Sequence, residues 1–223
     1  MKGKIVVIEG ADGSGKKTQT KLLVKRAKKQ GYPTATLSFP QYKKVYGKEI
    51  RAYLEGKYGS LEEVSPYFAS MLYAADRLNA KPQLVRLLKE GKNIILDRYI
   101  ESNIAHQAGK FSGKAREEMI KWIYELELKK MKLPEADIVI YLDLPVEFSI
   151  RAMKKQGEKE GKKRGDLHER SIKHLKNTRS TYLYMAKRNK NWKIVNCLDN
   201  GERISREKLN EIIWKFLKQF LVK

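Results

Sequence analysis

The chain has 223 residues, enough for one well-buried domain and short for two, and 41% of them are apolar. Lys and Arg number 48 against 26 Asp and Glu, and the resulting formal charge of +22 attracts polyanions without choosing among nucleotides, nucleic acids and acidic lipids. No apolar run approaches the ~20 residues of a membrane span, residues 5–8 are too short a run for a signal-peptide core, and the single cysteine, Cys197, excludes an internal disulfide, so a reducing, cytoplasmic setting is the default expectation.

Residues 5–8 (IVVI) read as a short buried strand. Directly after it stands Gly10-Ala11-Asp12-Gly13-Ser14-Gly15-Lys16-Lys17-Thr18. Two glycines five apart and a lysine, between a strand and an apolar helix face (Leu22, Leu23, Ala27), fit a loop that cradles phosphates. The glycines let backbone N–H groups turn inward, the helix adds its partial positive charge, and Lys16 reaches the outer phosphates. Lys17 occupies the position where such loops place a Ser or Thr as magnesium ligand. Thr18 lies about 100° further round the helix. Lys17 either adds charge at the phosphates or points to solvent.

A second strand is expected over residues 35–39. Tyr73 and Arg77, four apart on one helix face, could stack on a base and bond its edge. A third strand over 94–96 ends in Asp97-Arg98-Tyr99, where a carboxylate can organise a metal and a guanidinium can grip a phosphate in two parallel bonds. Ser102, Asn103 and His106 follow, the last two on one face, and an amide can read a pyrimidine edge.

Met119, Trp122, Ile123 and Leu126 mark an amphipathic helix, residues 138–144 a fourth strand, and 192–195 a fifth. Leu209, Ile212, Ile213, Phe216, Leu217 and Phe220 mark the clearest amphipathic helix. Residues 154–166 (KKQGEKEGKKRGD) hold no large apolar side chain and are expected to form a mobile loop. Strand and helix in alternation predict an α/β fold: a parallel sheet of about five strands, covered on both faces, with ligands beyond the carboxyl ends. The lysines spread along most of the chain, so a solvated basic surface is favoured over a dedicated nucleic-acid face.

Gly10–Thr18, Phe39-Pro40-Gln41-Tyr42, Tyr73-x-x-Asp76-Arg77, Asp97-Arg98-Tyr99 with Ser102-Asn103, and Asp166-x-x-Glu169 stand in the order seen in thymidylate kinases, and the resemblance covers nearly the whole chain. It implies one P-loop NTPase domain over residues 1–223, a three-layer sandwich with a mobile basic lid at about 151–166. It also implies ATP and Mg2+ as co-substrates, dTMP as acceptor, and a homodimer. Nucleic acid and membrane are not expected partners.

Position by position, the resemblance puts Gly10 through Thr18 and Arg151 at ATP, with Lys16 on the transferred phosphate and Arg151 near the adenine. Asp12, Phe39, Tyr42, Tyr73, Arg77, Arg98, Ser102, Asn103 and His106 would bind the acceptor. Phe39 and Tyr73 would enclose the base, Arg77 and Asn103 bond its edge, and Arg98 hold its phosphate. Lys16, Arg98 and Asp97 would carry catalysis, with Asp97 the candidate metal ligand, directly or through water. Lys154, Lys155 and Arg164 would supply lid charge, because Gly13 stands where some members carry an arginine. Gln41 stands where arginine is common, and His106 and His168 stand where aromatics are common. The acceptor phosphate is already an anion near neutral pH, so no strong general base is needed. That agrees with the lack of a Ser-His-Asp or Cys-His set.

Overall fold

The computed structural model describes residues 2–159 and 166–223. Its sheet runs in the order β2-β3-β1-β4-β5, from β1 (Ile5–Gly10), β2 (Thr34–Ser38), β3 (Asn93–Asp97), β4 (Ile138–Asp143) and β5 (Trp192–Asn196). Every pairing is parallel. The five expected strands are all present, with ends shifted by one or two residues. Phe39 falls outside β2, and its N–H donates to the Asp97 carbonyl at 3.0 Å, one step beyond the ladder.

Strand alternation builds two cores. Ile5 and Val7 of β1, Ile94 and Leu96 of β3, and Val139 and Tyr141 of β4 face one side. Val6, Ile8, Ile95, Ile138, Ile140 and Leu142 face the other. Both faces are covered, which is why the strands read as continuous apolar runs rather than alternating ones.

The first face carries α3 (Pro66–Lys89), α4 (Ile100–Ala108), α5 (Gly113–Tyr124) and α8 (Ile172–Arg188). The second carries α1 (Lys16–Lys29) and α9 (Arg206–Leu217). In α9, Leu209, Ile213, Trp214 and Leu217 are buried and Ser205 caps the start by accepting from Lys208 N–H. The helix stops at Leu217, so Phe220 packs from beyond its end. A small third cluster, Ile50, Tyr53, Leu54, Val64 and Ala69, joins α2 (Val45–Leu54) to α3 and walls the site.

Two sequence expectations change. The segment 154–166 is not loop throughout: α6 runs over Val146–Lys159 and holds Lys154 and Lys155 as exposed helical positions. Four lysines and glutamates in that stretch are adequate helix formers, and helix propagates from the packed turns before them. Arg164 lies outside the described residues. Second, the helix marked by Met119, Trp122, Ile123 and Leu126 is α-helical only to Tyr124 and continues as a π-helical turn, Glu125–Lys130. Among the described residues, no helix is long and apolar enough to cross a membrane.

Candidate active site

The cradle sits at the carboxyl end of the central strand. Gly10, Gly13 and Gly15 have φ of 152°, 77° and 97°, values at which a side chain is strained. A Cβ on Gly13 would also lie 2.6 Å from Ala152 Cβ, so α6 closes directly over the loop. Ser149 of α6 reinforces this by donating its hydroxyl to the Asp12 carbonyl. Arg203, in the hairpin of β6 (Leu198–Asp199) and β7 (Glu202–Arg203), donates to the Gly13 carbonyl at 2.8 Å.

Lys16 opens α1 and is buried, its ammonium donating to the Ala11 carbonyl at 2.8 Å and to Asp12 Oδ1 at 3.4 Å. Lys17 and Thr18 are exposed, so Lys17 points to solvent.

Asp12 is the hinge of the electrostatics. Its Oδ1 accepts from both Lys16 and Arg98. Burial alone would raise this carboxyl, but the two cations overcome it and hold it far below the usual range. Burial, then the Arg98 charge, lower Lys16. Asp97, half-buried at the tip of β3, is close enough to stabilise both cations.

Arg98 has φ 67°, an uncommon conformation for a side-chain-bearing residue, and its N–H donates to the Ile8 carbonyl at 3.1 Å. The strained turn aims its guanidinium at Asp12 and, at 3.1 Å, at Ser102 Oγ. Ser102 Oγ in turn donates to Glu9 Oε2 at 2.6 Å. Glu9, wholly buried, also accepts from Tyr182 hydroxyl at 2.8 Å and from the N–H groups of Tyr99 and Ser102 at 2.9 and 3.1 Å. Burial pushes its carboxyl up despite those donors and the nearby Arg98 charge. Ser102 thus faces the cavity with its hydroxyl engaged in holding Arg98.

Beyond Arg98 opens a cavity of about 240 Å³, walled by Phe39, Tyr42, Tyr73 and His106, with Asp12, Arg77, Ser102 and Asn103 on the same lining. At its far end Arg77 donates from Nε and Nη2 to Glu127 at 2.5 and 2.6 Å. Both partners are buried. Asn103 Nδ2 donates to Glu127 Oε1 at 2.9 Å and to the Ser70 carbonyl at 3.2 Å. A carboxylate only accepts, so this fixes which end of the amide is which. Asn103 Oδ1 is then left buried with no hydrogen-bond partner among the described residues, on a side chain that lines the cavity. Asp76 anchors the segment between Pro40 and Tyr42: its Oδ2 accepts from Gln41 N–H at 2.8 Å.

Asp166 caps α7 (Leu167–Arg170) in a reciprocal box with Glu169, and both line the cavity. Burial raises the Asp166 carboxyl to about 6. Tyr42 lies under the Arg51 guanidinium, 5.0 Å from its ring centre. Arg151 is exposed on α6, stacked 4.3 Å over Phe148, and takes no part in lining this cavity. The structure therefore brings Asp12, Lys16 and Arg98 into one cluster, and Phe39, Tyr42, Tyr73, Arg77, Ser102, Asn103 and His106 onto one lining.

Sequence reasoning missed Glu9, Glu127 and Tyr182. Glu9 hides inside an apolar strand. Glu127 continues the four-residue row of Met119 and Ile123, a signal that was present but reads as the polar end of a helix until Arg77, 50 positions away, is seen beside it.

A glycine cradle on the central strand, sharing one half-buried carboxylate with an arginine-lined second cavity, defines a P-loop nucleotide phosphotransferase. Residues 8–207 match the family model for thymidylate kinase. Probable thymidylate kinases of Thermococcus onnurineus and Pyrococcus abyssi are 33% and 31% identical, the alignments covering 96% and 93% of this chain and 99% and 94% of theirs. Thymidylate kinase of Mycobacterium tuberculosis H37Rv is 29% identical over 82% of this chain and 85% of its own. The solved thymidylate kinase of Candida albicans superposes with a TM-score of 0.70 at 25% identity, covering 98% of this chain and 92% of that one. The chain belongs to the thymidylate kinase family.

Proposed function

We propose that this protein transfers the γ-phosphoryl group of ATP to dTMP, giving dTDP and ADP, a step that supplies dTTP. The observation that carries the reading is the Asp12 bridge: one carboxylate ties the cradle lysine to Arg98, which borders a cavity ending in a base-reading pair. Donor and acceptor phosphates entering from the two sides would draw Lys16 and Arg98 off Asp12 and onto phosphate oxygens. Catalysis is then positioning and charge neutralisation of an in-line transfer, in a site that excludes water as competing acceptor.

The far end of the cavity supports a pyrimidine with a protonated N3. Asn103 offers only its carbonyl, because its amide nitrogen is committed to Glu127 and Ser70. It accepts from the N3–H of thymine or uracil and repels the bare N3 of cytosine. The Arg77 nitrogen not bonded to Glu127 is a donor for the O4 carbonyl.

Magnesium suits the hard oxygen donors here: Asp97 beside Lys16 would hold it together with phosphate oxygens, since neither Lys17 nor exposed Thr18 is placed to help. When bound, it neutralises phosphate charge. The homodimer reading has support in α3, where Tyr67, Met71 and Leu78 form an exposed stripe at four- and seven-residue spacing beside Phe68.

The test is a coupled assay for ADP with dTMP, dUMP, dCMP, UMP and thymidine as acceptors. dTMP and dUMP are expected to react, with dCMP rejected by at least about 100-fold in kcat/KM. Equal turnover of dCMP, or turnover of thymidine in preference to dTMP, would overturn the assignment.

A further inference from the structure

The chain holds three histidines, and all three converge. His106 comes from α4, His168 from α7 and His174 from α8. One ring nitrogen of each lies within 4.8 Å of the others. His168 and His174 are buried and His106 is half-buried. His106 Nδ1 and His174 Nε2 are 3.1 Å apart. Two nitrogens bound to one tetrahedral ion at ~2.0–2.1 Å stand ~3.3 Å apart, so this pair is already near ligand spacing.

The third ring needs one movement. His168 stacks on His106, with centroids 4.7 Å apart and planes 13° apart, and must turn out of the stack to aim a nitrogen at the same point. Its Nε2 has the Tyr53 hydroxyl at 3.3 Å, and His174 Nε2 has the Thr178 hydroxyl at 3.4 Å. Among the described residues, the side-chain hydrogen bonds of the three rings go only to one another and to those hydroxyls, and the Asp12 charge that favours the His168 cation is outweighed by burial. Burial, followed by neighbouring positive charge, lowers all three, His174 to about 4, and the lone pairs are available at neutral pH.

We propose that His106, His168 and His174 bind one divalent ion of the zinc class, with three imidazole ligands and a fourth position open. Imidazole without carboxylate suits Zn2+, Co2+ or Ni2+ and is a poor site for Mg2+. The site is distinct from the phosphate end of the cleft. It ties α7 to α4 and α8, and two of its ligands, His106 and His168, also wall the acceptor cavity. An ion held there would therefore adjoin the acceptor cavity.

The experiment is a titration of the tag-free chain, without nucleotide or magnesium, with ZnCl2 by calorimetry and with CoCl2 by visible absorption. With no other histidine and one buried cysteine in the chain, imidazole ligation can report only this cluster. One Zn2+ per chain is expected, with a tetrahedral Co2+ spectrum that Zn2+ displaces. His174→Gln, which lies outside the cavity lining, should weaken binding by at least about 100-fold while its circular dichroism and melting match the parent. His168→Phe, which keeps a stacked ring, should do the same and decides the matter should His174→Gln fold poorly. No stoichiometric binding by the parent, or binding unchanged in the folded variants, would overturn the proposal.

Discussion

Replacing Glu127 by glutamine isolates the buried ion pair beneath the acceptor cavity. In the parent, burial works against the Arg77 charge, but the Glu127 carboxylate outweighs it and holds the guanidinium above its ordinary value. The pair is 2% and 0% exposed, so water cannot replace a lost partner. The substituted amide would keep one acceptor and set its NH2 group against either Arg77 or Asn103. Breaking one side of such a pair costs about 3–5 kcal/mol. For a chain of this length that is roughly 10 °C in Tm. Urea denaturation gives the free energy, and the coupled assay gives KM for dTMP. A flipped Asn103 would present its NH2 to the base, so the preference for dTMP over dCMP should shrink as well. The double variant Arg77→Met, Glu127→Leu separates the two effects. Removing both charges should recover stability to within about 2 kcal/mol of the parent, yet leave dTMP binding poor. An E127Q chain within about 1 kcal/mol of the parent, or a double variant less stable than E127Q, would refute this account of the pair.

Lys16→Ala should lower kcat by about 10²–10³-fold while equilibrium dTMP binding stays within about threefold, because among the described residues the Lys16 ammonium hydrogen-bonds only to Ala11 and Asp12; single-turnover and binding measurements separate the two. Asn103→Leu leaves the N3–H of the base unpaired and should raise KM for dTMP by about 10–100-fold, with little change in KM for ATP. Burial, then the charge of Glu9, raises Glu101 to about 8 from an ordinary 4.5. Its protonated form therefore favours folding, and that stability is complete below pH 4.5 and lost as pH rises toward 8. Glu101→Gln should gain on the parent between about pH 5 and pH 9, by up to about 5 kcal/mol, and urea midpoints that run parallel across that range would count against it. Gly13→Ala forces a Cβ onto Ala152 at a φ of 77° and should cost roughly 1–3 kcal/mol, displace α6 and raise KM for ATP with KM for dTMP unchanged.

How far the sequence reached depends on how local each signal is. The strands were legible because a doubly covered parallel strand is an uninterrupted β-branched run. The cradle was legible because its glycines, lysine and helix start are contiguous. The Asp97-Arg98-Tyr99 turn and the Tyr73/Arg77 pair were found for the same reason. The helical stretch 154–159 was misread because composition reports what cannot enter a core and says little about helix propagating out from packed turns.

By itself, then, the sequence determined the alternating α/β order, the place of the phosphate loop and the residues around it that carry charge. Only the tertiary structure decided which of those charges act together. Glu9 joined to Tyr182 across 173 positions, Arg77 to Glu127 across 50, and His106 to His174 across 68 are pairings with no local trace. A buried polar group without its partner is costly, and partners that far apart meet only when the sheet and its helices close around them.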